Sequence, residues 1–131
     1  LRAVTEIESI ADSCNNLARA IKRRNEGKGE FTESLNHNMD QMFAIVDQAL
    51  QQMNVILHKP EAVHDDINVS YNVENEINNY RNQLKIKNME DVNNKAYDYQ
   101  VGVYYMDMVA ACEKLGDYVL NVVQAVIEKK I

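Results

Sequence analysis

The sequence predicts an all-α fold, an antiparallel up-down bundle of four long helices, on three observations. Apolar residues recur at spacings of three and four in four separate stretches. Four glycines and one proline in 131 residues leave little turn chemistry, so few long elements are expected. The breaks between the periodic stretches are short, and short connections between helices favour antiparallel neighbours. No strand pattern competes.

The first helix is predicted over about residues 2–24, with Val4, Ile7, Ile10, Ala11, Cys14, Leu17, Ala18 and Ile21 as its apolar stripe. Arg19, Lys22, Arg23 and Arg24 stand where it ends, and cations there complement the helix dipole. "NEGKGE" then breaks the pattern. Thr32 is the expected N-cap of the second helix, whose stripe runs from Leu35 through Met39, Met42, Val46, Ala49 and Met53 to Ile56. "HKP" stops it, because Pro60 cannot continue a helix but suits the first turn of the next. The third, about 60–87, is weaker, with Val63, Ile67, Val73, Ile77, Tyr80 and Leu84 among scattered asparagines. "KNMEDVNN" is read as an interruption, with Asp91 or Asn93 capping a fourth helix over about 93–129.

Composition narrows the functional classes. A net charge of −6 and a pI near 5.0 argue against nucleic acid, which needs a basic surface to neutralise phosphates. No apolar run reaches the roughly 20 residues of a membrane span. The sequence begins with Leu1 rather than Met, which reads as a piece of a longer protein. Cys14 and Cys112 both fall on predicted apolar faces and are expected as buried free thiols.

One feature recurs. "IESIADSCNNLARAI" (7–21) and "CEKLGDYVLNVVQAV" (112–126) each carry Glu-x-x-x-Asp: Glu8 with Asp12, and Glu113 with Asp117, 105 positions apart. Asn16 and Asn121, and Ala20 and Ala125, also coincide, and Ile10/Leu115, Leu17/Val122 and Ile21/Val126 match in character. At 100° per residue each carboxylate pair spans about 40° of its helix and lies at the flank of the apolar stripe. Ala11 and Gly116, small residues before each Asp, would admit a close neighbour. Two carboxylates at i and i+4 repel by roughly 0.2–0.5 kcal/mol, so writing the pair twice points to a site that wants oxygen ligands, such as a hard cation or iron. Counting along the predicted helices sets Glu8 and Asp12 level with Asp47, Glu74 and Glu76. The same count sets Glu113 and Asp117 level with His64, Asp65 and Asp66.

Other constellations are thin. A ferritin-like di-metal protein needs Glu-x-x-His on two helices, and only Glu61-x-x-His64 is present. His37 and His58 stand near helix ends without ligand partners at i+4 and are expected in solvent. The methionines of helix two read as core filler, and of Tyr104 and Tyr105 one must lie at an edge.

The repeated pair at the flank of a long helix, reached through two further helices, resembles the PhoU family, which repeats a three-helix unit with an acidic E(D)xxxD motif on each third helix. Residues 1–131 then read as one PhoU-like helical domain: 32–131 look like a complete unit, and 1–24 resemble the last helix of a preceding unit. "VENEINNYRNQL" resembles the family's middle helix. "ESIADSCNNLARAIKRR" with "FTESLNHNMDQMFAIVDQALQQM" is most similar to the cytoplasmic PhoU-like tail of bacterial sodium/phosphate cotransporters.

The resemblance implies regulation of phosphate uptake rather than catalysis, in the cytoplasmic domain of an inner-membrane protein. The implied partner is the transmembrane part of the same transporter, with no nucleic acid and no insertion of this domain into the membrane. Iron or another divalent or trivalent metal ion is the implied cofactor, with Glu8, Asp12, Glu113 and Asp117 as metal ligands. The side of the first helix left without its usual packing implies association between copies. The alternatives are a helical interaction bundle without metal and the ferritin-like di-metal protein.

Overall fold

The computed structural model describes residues 2–61 and 64–130, the side chains of His64 and Lys130 excepted. Four helices make up the described chain: α1 (Arg2–Glu26), α2 (Glu33–His58), α3 (His64–Asn93) and α4 (Tyr99–Lys130). The all-helical prediction holds. Thr32 caps α2 as expected, its hydroxyl accepting from the Leu35 amide at 3.1 Å.

The long stripe of α4 is the spine of the core: Val101, Met108, Cys112, Leu115, Val119 and Val123 are all buried. Leu35, Met39, Met42, Val46, Met53 and Ile56 of α2 pack with it, as do Ile77 and Leu84 of α3. Burial of about 25 cal/mol per Å2 along these facing stripes is the main force holding the helices together. Tyr105 is sunk in this core edge-on to Phe31, with ring centroids 5.8 Å apart. Tyr104, its neighbour, is the one at the edge.

The helices do not close into a four-cornered ring. α4 packs against all three others, α2 and α3 pack together, and among the described residues α1 packs along α4 alone. α1 and α4 run antiparallel: Arg2 pairs with Glu128 at 2.7 Å, Asn121 donates to Glu6, and Gly27 lies against the Tyr104 ring. At its far end α1 reaches the start of α2 through Arg24, which lies over Phe31 and donates to Asn36.

Three expectations need correction. α3 begins at His64 rather than 60 and runs straight through "KNMEDVN" to Asn93. The true stop is a Schellman motif in which the Lys95 amide donates to Val92 and the Ala96 amide to Asp91, with Lys95 left-handed at φ 59°. Glycine or asparagine ordinarily marks that position, so a lysine there left the stop hidden. The register between α3 and α4 moves with the turn. A turn about six residues later slides each pairing by about twelve, so Asp117 meets Glu74 and not Asp65 or Asp66. Buried Asp66 pairs instead with Lys59 at 2.5 Å.

The third correction concerns α1. Its inward face is Ile10, Ser13, Leu17 and Ala20, with Ser13 and Ala20 buried. Val4, Ile7, Ala11, Cys14 and Ala18 of the predicted stripe are exposed, Val4 by 58% and Ile7 by 46%. One helix partner covers one narrow strip of a helix, and α1 has one partner. Cys14 is therefore exposed, and only Cys112 is the buried thiol expected of both.

Candidate functional site

Glu113 and Asp117 project from α4 toward α3, where three α3 residues on successive turns receive them. Arg81 donates to Glu113 at 3.0 Å, with both side chains about three-quarters buried. Ile77 lies against Gly116, close enough that a Cβ there would come within 2.9 Å of its Cδ1. Glu74 faces Asp117 within hydrogen-bonding reach when one of the two holds a proton, and it also accepts from Asn78 at 2.8 Å. Gly116 thus does what its size predicted: it lets the neighbouring helix close in, and the acids on either side of it meet that helix.

Electrostatics follow from this packing. Burial is the main cause that raises the Asp117 carboxyl, to about 7, and the Glu74 hydrogen bond and the charges of Glu74 and Glu113 add to it. Arg81 acts in the opposite sense. With a proton on Asp117 and the Arg81 guanidinium on Glu113, the three carboxylates keep about one negative charge between them. Burial also pushes the Cys112 thiol up to about 12.

Glu8 and Asp12 sit differently. Both are exposed, and Ala11 beside them has no helix upon it. They are not brought together with Asp47, Glu74 or Glu76, because α1 packs on neither α2 nor α3. Yet the two pairs are related. Cross-pairs such as Arg2 with Glu128 and Glu6 with Asn121 place Asp12 level with Asp117, at the middle of the α1–α4 pair. The facing strips are also equivalent under the sequence repeat, with Ile10, Leu17 and Ala20 matching Leu115, Val122 and Ala125. α1 and α4 are thus approximate two-fold mates, and the repeated strip is what they share.

Among the described residues no group of three or more His, Cys, Asp or Glu side chains is placed to hold a metal ion. At α4 the position a cation would take beside Glu113 is filled by Arg81. At α1 two exposed carboxylates stand without a third ligand among the described residues. Of the Glu61-x-x-His64 pair, the His64 side chain lies outside the described residues. His37 and His58 are exposed, as expected.

Sequence reasoning missed Arg81 and set Glu74 beside the other pair, Glu8 and Asp12; these two residues complete the α4 site. Both lie in "VENEINNYRNQL", and Glu74, Ile77 and Arg81 stand at spacings of three and four on one face. With the correct turn, that face is the one opposite Glu113 and Asp117. Compared with protein-family models, curated proteins and solved structures, the chain matches none of them.

Proposed function

We propose that this chain is a PhoU-like regulatory unit that restrains phosphate uptake by contact with the transmembrane part of its own sodium-coupled transporter. The single observation that carries the reading is the repeat: two Glu-x-x-x-Asp helices in equivalent apolar frames, packed as approximate two-fold mates. That is the pattern expected where one three-helix unit, α2 to α4, adjoins the last helix of another. Among the described residues no helix is long and apolar enough to cross a membrane.

The mechanism rests on the α3–α4 junction. Two carboxylates one turn apart repel unless a cation or a proton offsets them, and here Arg81 on Glu113 and a proton on Asp117 do so. Changing that neutralisation changes how firmly α3 lies on α4, and so which conformation meets the transporter. Deleting the domain from its parent should raise phosphate uptake at high external phosphate, measured with radiolabelled phosphate in cells. Uptake that does not change on deletion would sink the proposal.

A plain interaction bundle is the second reading, favoured by Arg81 occupying the place of a cation at Glu113. It predicts the same stability behaviour and no effect on uptake.

A further inference from the structure

Asn68, Asn72, Asn75, Asn79 and Asn82 of α3 succeed one another at alternating steps of four and three, and Ile86 and Met89 continue the same steps. All seven are exposed. The line points away from the bundle. Buried Ile77 stands two residues from both Asn75 and Asn79, and buried Leu84 two from both Asn82 and Ile86, so the line lies about 200° round the helix from the core. Asparagine is among the poorer residues for a helix interior, and glutamate or lysine would serve a merely solvated face better. Five of the eight asparagines of α3 nevertheless fall on this one line. Steps of four and three are the spacing of the seam by which two helices coil about each other.

We infer that this line is the seam along which a second copy of the chain pairs, α3 beside α3, parallel and in register. Self-complementarity fixes the occupant. An asparagine amide both donates and accepts, so it pairs with its own copy as lysine or glutamate cannot. In the parallel register every layer meets its like, amide on amide at five layers and Ile86 and Met89 each on its own copy. An antiparallel partner overlapping the whole line would set Asn75 on Ile86 and Asn72 on Met89, leaving amides unpaired against apolar groups. Charge agrees with the parallel arrangement. Lys85 and Glu90, both exposed, flank the line on opposite sides, five residues apart, the spacing at which one helix reaches the other across a parallel seam. Asp65, one step before Asn68, would face its own copy, so the pairing frays at that end. Five amide layers make the dimer weak and reversible but definite in register. The inference stands on the outer face of α3, independently of the acidic pairs and of any role in phosphate uptake.

Sedimentation equilibrium of the full chain from about 10 μM to about 1 mM reads the pairing. The average mass should rise with concentration from 15.1 kDa toward twice that value. Asn79→Asp with Asn82→Asp puts like charges across two layers and should weaken association at least about tenfold, with the melting temperature little changed because both positions are exposed. Cysteines read the register, in a Cys14→Ser background that leaves buried Cys112 as the other thiol. Asn79→Cys and Met89→Cys, made singly, should each oxidise to a linked dimer at least about tenfold faster than Gln48→Cys at an exposed position of α2. A mass that stays at one chain at the highest concentration overturns the inference, as does association that Asn79→Asp with Asn82→Asp leaves unchanged. Linking no faster than that of Gln48→Cys does the same. Linking through Asn79→Cys without linking through Met89→Cys would make the pairing antiparallel and overturn it too.

Discussion

Asp117 is the residue whose chemistry is most displaced from its ordinary behaviour. Its folded carboxyl titrates near 7, well above the 3.8 of an unhindered aspartate, chiefly through burial and then through Glu74. The protonated form is the one the fold prefers. Its contribution to stability is complete below about pH 4, declines as the unfolded carboxyl ionises, and is gone above about pH 7. Asp117→Asn keeps the neutral form at every pH. It should raise the melting temperature at about pH 8, leave it little changed at about pH 4, and flatten the slope between, read by thermal melts across that range. Arg81→Met tests the opposing charge: it leaves Glu113 and Asp117 without their cation and should cost about 1–2 kcal/mol, between the values for exposed and buried pairs. Denaturant unfolding at about pH 8 measures it, and Asp117→Asn in the same background should recover part of the loss.

The turn between α3 and α4 controls which residues meet. Lys95 holds a left-handed backbone at φ 59°, a conformation that costs a side-chain-bearing residue free energy and costs glycine none. Lys95→Gly should stabilise the chain by about 0.5–1 kcal/mol after allowing for glycine's greater freedom when unfolded, read as a rise of a few degrees in Tm. The same residue explains much of what the sequence did and did not disclose. The helices were legible because Leu35 to Ile56 and Val101 to Val123 repeat at three and four without ambiguity, and Thr32 is a common cap. The α3–α4 break was not, because asparagines pass for a loop and a lysine gives no sign of a left-handed stop. Misplacing that turn moved the α4 acids away from Arg81 and Glu74. On α1 the error was of another kind: Val4, Ile7 and Cys14 do form an apolar stripe, but a stripe shows only that a face is apolar, not that anything within the chain covers it.

At the scale of the molecule, α4 is the element through which α1 is joined to the rest. Removing α1 should therefore leave α2 to α4 folded and cooperative, while exposing Leu115, Val122 and Ala125 on one flank. A chain of residues 27–131 should unfold in a single transition with a denaturant slope lower by about a fifth, in keeping with the surface no longer buried. Loss of helical circular dichroism altogether would show that α1 is integral to the core. The same layout governs how the molecule bears load. Its two ends lie side by side, Arg2 against Glu128, so tension applied to both strips α1 from α4 turn by turn, starting at that ion pair. Zipper-wise rupture strains one small contact at a time and yields at low force, whereas pulling along the rod's length would shear every turn at once. Tethered at both ends, this chain would release its outer helix as a compliant element long before the three-helix core gave way.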